Sequence, residues 1–228
     1  MIEPLSAQPA LIDQVHDRLV AAIADGSLPP GERLTQENVA SMLGVSRQPV
    51  SHALQILRRR GLVIESGRRG LEVAPMDADR LRALYQLRAV IEGLAAALAA
   101  RRIRDGRASA EARAQAEEAL HAGMALPGNA SIQELISADV TFHSALHHLS
   151  GNAAIVEAIA GQWPHFMRAM GAVLADPARQ SAIWHDHAQI MQHVLAGEPS
   201  TAEAVARGHI DRAGEATATR LETKQPAA

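Results

Sequence analysis

Asp139 and His143 stand four residues apart in the run Ser137-Ala-Asp-Val-Thr-Phe-His143, so on a helix they lie one above the other on a single face. A carboxylate and an imidazole placed this way offer one oxygen and one nitrogen to the same cation. His187 and His209, on two later helical stretches, could add two more nitrogens. Three imidazoles and a carboxylate are borderline ligands suited to Zn²⁺, and also to Ni²⁺ or Mn²⁺. A hydrogen-bonded or solvated pair is the other reading, because 11 histidines in the chain make chance i, i+4 pairs common. Arg88 and Glu92 form a second pair four residues apart among otherwise apolar positions. On a surface they would be an ordinary ion pair; a guanidinium directed into a bundle interior would need an anion, which it can hold bidentately.

A different chemistry is written nearer the start. Thr35 can N-cap a helix whose apolar stripe is Val39, Ala40 and Leu43, and Gly44 supplies a turn. Ser46 then opens a second helix. Its apolar positions Val50, Ala53, Leu54 and Leu57 recur at helical spacing, which leaves Arg47, Gln48, Ser51, His52 and Gln55 outward, a polar face suited to base edges and phosphates. After Gly61, the runs Leu62 to Glu65 and Leu71 to Ala74 read as strands joined by Ser66-Gly67-Arg68-Arg69-Gly70, a turn that would present two guanidinium groups to a phosphate ridge or a minor groove. Residues 1–74 carry eight basic and eight acidic side chains, yet residues 46–70 hold six arginines against one acid, Glu65. The expected DNA surface is therefore Ser46, Arg47, Gln48, Ser51 and His52 with Arg68 and Arg69 at the wing tip.

These groups need scaffolds of two kinds. Past Pro75 the pattern becomes continuous helical periodicity, starting with a helix from about Asp77 to Arg102. Breaks follow at Asp105-Gly106, Pro127-Gly128-Asn129, Gly151-Asn152, Asp176-Pro177 and Gly197-Glu198-Pro199. The expected fold is mainly α: a winged helix-turn-helix over 1–75, an antiparallel bundle of six or seven helices over 76–223, and a disordered tail at 224–228. Length and 47% apolar content suffice for a core in each part. A net charge of −3 argues against general polyanion binding, so any nucleic-acid surface must be local. No Cys is present, which excludes disulfides and thiolate metal ligands. Met1 to Ala10 lacks the features of a signal peptide, and the apolar run Leu94 to Ala100 is too short to cross a bilayer, so a cytoplasmic location without membrane contact is expected.

The run from Ala22 to Val73 closely resembles the winged-helix domain of GntR-superfamily regulators. The likeness rests on Pro30-Gly31-Glu32-Arg33-Leu34, Gly44-Val45-Ser46-Arg47, Pro49-Val50, Ala53-Leu54 and Gly61-Leu62-Val63. It implies dimers on palindromic operators, with Arg47 among the DNA contacts. Ser51-His52 departs from the family's usual Arg-Glu, and Glu37 stands where some members have arginine. Further on, Asp139-Val-Thr-Phe-His143, Ser150-Gly151-Asn152, Asp186-His187-Ala-Gln-Ile190 and His209-Ile210 resemble the metal-binding series of the FCD effector domain, found in the FadR-type subfamily. Tyr85 to Ala100 is similar to that domain's first helix. The resemblance implies ligand roles for Asp139, His143, His187 and His209, with Asp186 where the family often has Glu, and it places Arg88 and Glu92 near the effector cavity.

The function expected from all this is a homodimeric, DNA-binding transcription regulator, a repressor of a catabolic operon, whose helical part senses a small carboxylate at a divalent metal site. A metal-dependent enzyme fused to a DNA-binding domain and a direct metal-ion sensor are the alternatives. His147 and His148 are expected in solvated or interhelical roles, and Trp163 and Trp184 in core packing.

Overall fold

The computed structural model describes residues 11–67, 70–174 and 176–224, and the chain divides into two compact units, Met1–Met76 and Asp77–Ala228. The wing-tip residues Arg68 and Arg69 and the tail 225–228 lie outside the described residues. Lys224, which the sequence reading gave to the tail, is the last residue of the final helix.

The first unit contains α1 (Leu11–Ala24), β1 (Arg33–Leu34), α2 (Gln36–Leu43), α3 (Arg47–Arg59), β2 (Val63–Ser66) and β3 (Gly70–Val73). The strands form an antiparallel sheet in the order β1-β3-β2, with Arg33 opposite Glu72 and Val63 opposite Val73. The local signals act as expected. The Thr35 hydroxyl accepts from the Asn38 N–H at 3.1 Å, and Gly44 turns the chain with φ of 66°. Ser46 occupies the N-cap of α3 in extended backbone but makes no capping bond with its hydroxyl. Val50, Ala53, Leu54 and Leu57 from α3 close on Val15, Leu19 and Ile23 from α1 and on Val63 and Val73 from the sheet. Among the described residues of this unit no charged side chain is buried.

Among the described residues the second unit has seven helices: α4 (Ala78–Arg104), α5 (Ala110–Met124), α6 (Ile132–Ser150), α7 (Ala153–Ala160), α8 (Trp163–Leu174), α9 (Pro177–Leu195) and α10 (Pro199–Lys224). Asp77 caps α4 by accepting from the N–H groups of Asp79 and Arg80, and Ser131 and Glu134 form a reciprocal capping box on α6. The long helices α4 and α10 make the most extensive contact. Small residues permit it: a Cβ on Gly214 would stand 2.7 Å from Cβ of Tyr85, and one on Gly93 would overlap the Arg207 stem. A Cβ on Gly123 would likewise fall inside the Trp184 indole, so α5 and α9 touch there by the same device. By length and composition α4 could cross a membrane, but over half of its apolar stretch is buried in this unit, and buried Arg88 and Glu92 interrupt it.

Candidate metal centre and nucleic-acid interface

Three helices bring the expected ligands together inside the bundle. Asp139 and His143 come from α6, His187 from α9 and His209 from α10, and all four are buried. The ligand nitrogens of His143, His187 and His209 lie within 4.8 Å of one another, and Nε2 of His187 is 3.1 Å from Nε2 of His209. Two donors each about 2.1 Å from one ion sit about 3.0 to 3.4 Å apart at octahedral or tetrahedral angles, so that spacing suits a shared cation. Asp139 stands at the edge of the cluster, with Oδ1 3.6 Å from His187 Nε2 and Oδ2 3.9 Å from His143 Nε2.

Partners are missing where a cation would supply them. Among the described residues, Asp139 Oδ2, both ring nitrogens of His143, Nδ1 of His187 and Nη2 of Arg88 find no hydrogen bond, although each is buried. An unsatisfied buried polar group costs about 1–3 kcal/mol, so a cluster of them calls for an ion or ligand. Protonation agrees with ligation. Burial pushes the His143 imidazole down against the pull of Glu92, and burial with His209 and His143 alongside holds His187 well below the usual histidine range. Both rings are thus neutral, the form that binds a metal. The donor set fits a borderline divalent cation.

A shell of further groups holds these ligands. Nδ1 of His209 lies 3.2 Å from Asp186 Oδ2, an atom that also accepts from Arg212 at 2.7 Å. The His209 hydrogen bond lowers the Asp186 carboxyl to about 2, against partial burial and with help from Arg212. A carboxylate on the far nitrogen fixes which nitrogen of His209 faces the cluster. Glu92 serves the α6 histidines: its Oε2 is 3.0 Å from His147 Nε2 and 3.1 Å from His143 Nδ1, the second contact being too misaligned for a hydrogen bond. Burial alone would push Glu92 up, but His143 and His147 hold it well below the usual carboxylate range.

The surface alternative for Arg88 and Glu92 is overturned: each is 1% exposed, with Arg88 Nε 3.3 Å from Glu92 Oε1. The guanidinium lies 4.8 Å from the Trp163 ring and 4.9 Å from the Phe166 ring, and Nη2 points 3.9 Å from Asp139 Oδ2. The sequence reading gave Trp163 to core packing; it is instead a half-buried wall of this site, 6.4 Å from His143 and 6.3 Å from His147. Trp184 packs at the back, edge-on to His187 at 4.8 Å. His147 is interhelical rather than solvated. A small inner space of about 30 Å³, bordered by Tyr85, Arg88, Asp139, His143 and His209, opens beside the ligands.

In the first unit the expected α3 residues lie along one face. Ser46, Arg47, Gln48, His52 and Gln55 are exposed, while Ser51 is half-buried and accepts from Gln36 at 3.2 Å. Pairing reduces the free positive charge. Arg47 lies 3.7 Å from Glu37 and Arg58 lies 2.7 Å from Glu65. A groove of about 310 Å³ runs between α3 and the β2–β3 hairpin, lined by Ser51, Gln55, Arg58 and Gly67. Sequence reading missed Arg33 on β1, whose guanidinium packs beside the wing: a Cβ on Gly70 would lie 3.2 Å from its Nε. The two-residue strand that places it was too short to leave a pattern.

A capped helix pair with a three-stranded wing defines a DNA-binding transcription regulator. Residues 11–73 match the family described as bacterial regulatory proteins, gntR family, and residues 83–212 match the FCD domain. The chain belongs to the GntR family, in the FadR-like group in which an FCD domain follows the winged helix. It is 32% identical over 85 residues to the uncharacterized HTH-type transcriptional regulator YdhC of Bacillus subtilis (strain 168), a match spanning 37% of this chain and 38% of that protein. A Paenarthrobacter nicotinovorans protein, named "probable D-xylose utilization operon transcriptional repressor", is 27% identical over 201 residues, covering 86% of this chain and 84% of its own. A GntR transcriptional regulator from Rhodococcus sp. RHA1 shares the fold with a TM-score of 0.76 at 24% identity, over 91% of this chain and 97% of that one.

Proposed function

We propose that this regulator is a metal-dependent sensor: Asp139, His143, His187 and His209 hold one divalent cation, Zn²⁺ in the purified protein, and a small carboxylate effector binds beside it against Arg88. The observation that carries this reading is the convergence of three buried imidazoles, His143 and His187 among them held below the usual histidine range, and an unpartnered carboxylate oxygen next to an incompletely bonded guanidinium. The cation would supply positive charge and open coordination positions for an oxyanion. The chain's own residues do the rest. Arg88 presents a fixed donor fork to a carboxylate, with Glu92 and the Trp163 and Phe166 rings holding it in place. Asp186 orients His209, and Glu92 restrains the α6 histidines.

The output is DNA binding. A lone winged helix reads only a short half-site, so the functional species is a cytoplasmic homodimer on a pseudo-palindromic operator, read by Arg47, Gln48, Ser51 and His52 with phosphate contacts from Arg68 and Arg69. The Paenarthrobacter relative, named as a repressor of a D-xylose utilization operon, supports repression of a catabolic operon. Effector binding acts by favouring one arrangement of the dimer over another.

Elemental analysis of the purified full chain tests the centre. Up to one divalent ion per chain is expected, falling sharply in His143→Ala/His187→Ala. Full metal content in that double variant overturns the assignment. Sedimentation should give about twice the 24.2 kDa chain mass. Gel shifts in the presence of sugar acids, hydroxy acids and dicarboxylates then identify the effector.

A further inference from the structure

The inner space beside the ligands is not isolated. Val173, Ile183, His209 and Ala213, which border it, also border a second space of about 160 Å³ that runs outward past Asp186, Arg179 and Arg212. Val173, Arg179 and Ala216 in turn border a third, outer space of about 410 Å³ between the α8–α9 junction and α10, where Arg220 is also found. Shared walls thus place the three spaces in series from the surface to the ligand cluster. At about 30 Å³ the innermost part has room for about a water-sized group and not for a whole metabolite, since ligand pockets run to about 300 Å³ or more. Whatever places a carboxylate there must extend back along the passage.

The walls of that passage are charged. In the middle space Asp186 already accepts from both His209 and Arg212, so Arg212 is a neutralised side chain. Arg179 differs: it is exposed, it borders both the middle and the outer space, and it has no ion pair among the described residues. The outer space has walls of both signs, Asp176 and Glu215 with Arg179 and Arg220, and Glu215 is drawn aside to Arg82 at 3.6 Å. A molecule that reaches inward with one anionic group meets a second cationic group as its other end passes Arg179.

We propose that the effector is an elongated dianion, a linear dicarboxylate in chemical class. One carboxylate occupies the inner space at Arg88 and the ligand cluster, and the distal carboxylate pairs with Arg179. This rests on the carboxylate-sensing reading above and adds the position and the charge of the second group. Arg179 acts as a selectivity residue, discriminating a dicarboxylate from the monocarboxylate of equal chain length by one charge-assisted contact at a solvated mouth.

Isothermal titration of the full-length Zn²⁺-loaded protein with matched pairs tests this: butyrate against succinate, valerate against glutarate, and hexanoate against adipate. At one or more chain lengths the dicarboxylate should bind about tenfold tighter, as one hydrogen bond between charged groups implies. In Arg179→Gln, with thermal stability unchanged in the absence of ligand, that preference should fall to about twofold or less, while monocarboxylate affinity stays as in the parent protein. Equal affinity for both members of every pair, or a preference that survives Arg179→Gln, overturns the dianion proposal while leaving carboxylate sensing intact. Failure of all six acids to bind also overturns the dianion proposal, and failure of the sugar and hydroxy acids as well overturns carboxylate sensing.

Discussion

The two units of this chain handle polar chemistry in opposite ways. In the winged unit the core is apolar throughout, and the groups that could touch DNA, Arg47, Gln48 and His52, sit on a solvated face. In the helical unit the chemistry is the core: Arg88, Glu92, Asp139, His143, His147, His187 and His209 are each at most 4% exposed. A surface site can be altered with little effect on folding, because its side chains are exposed to water with or without a ligand. A buried site cannot, because its charged groups are cut off from water and depend on one another or on a bound ion. Function and stability are therefore separable in the first unit and tied together in the second.

The strongest test of that contrast removes Arg88. Arg88→Met keeps the stem but leaves Glu92 buried without its cation, and loss of one partner from a buried pair costs about 3–5 kcal/mol. Urea unfolding of the helical unit should show a loss of that order, and Arg88→Met/Glu92→Gln should recover part of it. A change below about 1 kcal/mol, within the usual range for surface substitutions, would place the pair outside the stabilising network.

Metal removal comes next. An ion bound only by the folded state at a hundred times its dissociation constant adds about 2.7 kcal/mol. Chelation should lower the melting temperature of the parent protein, but not that of His143→Ala/His187→Ala, while the winged unit keeps its operator affinity in gel shifts. Equal sensitivity of both proteins to chelator would mean that the ion lies elsewhere. Acid should act in the same direction on the metal-free chain. His143 and His187 are held below the ordinary histidine value of 6.5, so below that pH the unfolded chain takes up protons that the folded one refuses. Stability is fully present above about pH 6.5 and falls as the pH drops through it. A melting temperature flat from pH 7.5 to 5 would argue against buried neutral rings.

The same contrast explains what was legible in the sequence. Caps and glycine turns act locally, so Thr35, Gly44, Asp77 and Gly151 marked helix ends that the fold realises, and the i, i+4 spacing of Asp139 and His143 marked a common face. Burial is a tertiary property. The spacing of Arg88 and Glu92 is identical for a surface pair and an interior one, and only the packing of α4 against α6 and α10 decides between them. The break between α7 and α8 left no signature because Gly161 caps α7 with φ of −73°, a conformation open to any residue. Trp163 follows directly, and a reading that runs α7 and α8 together cannot put it opposite Arg88. In sequence Asp186 reads only as a departure beside His187; its bond to His209 crosses from α9 to α10 and has no trace in local spacing.

On the DNA face the effects are smaller and should leave the fold untouched. Arg47→Ala is expected to weaken specific operator binding by about 1–3 kcal/mol in gel-shift titrations at fixed salt, with the melting temperature unchanged. Loss of thermal stability alongside affinity would break the separation argued for the winged unit.

The smallest effect is the sharpest probe of that unit, because its sign is opposite. Glu37 lies 3.7 Å from the Arg47 guanidinium, and both side chains are largely exposed, 76% and 69% respectively. Exposed pairs contribute about 0–1 kcal/mol, so the contact does little for folding, yet it places a negative charge where phosphates must approach. Glu37→Gln should leave the melting temperature unchanged and strengthen binding to operator and nonspecific DNA alike by a few-fold, with the gain shrinking as salt rises from 50 to 200 mM. The two affinities decide what Glu37 does. A parallel gain marks it as a general brake on phosphate attraction, whereas weaker operator binding in Glu37→Gln would mean that the carboxylate holds Arg47 in its reading position and that this surface, too, is organised by its own pairs.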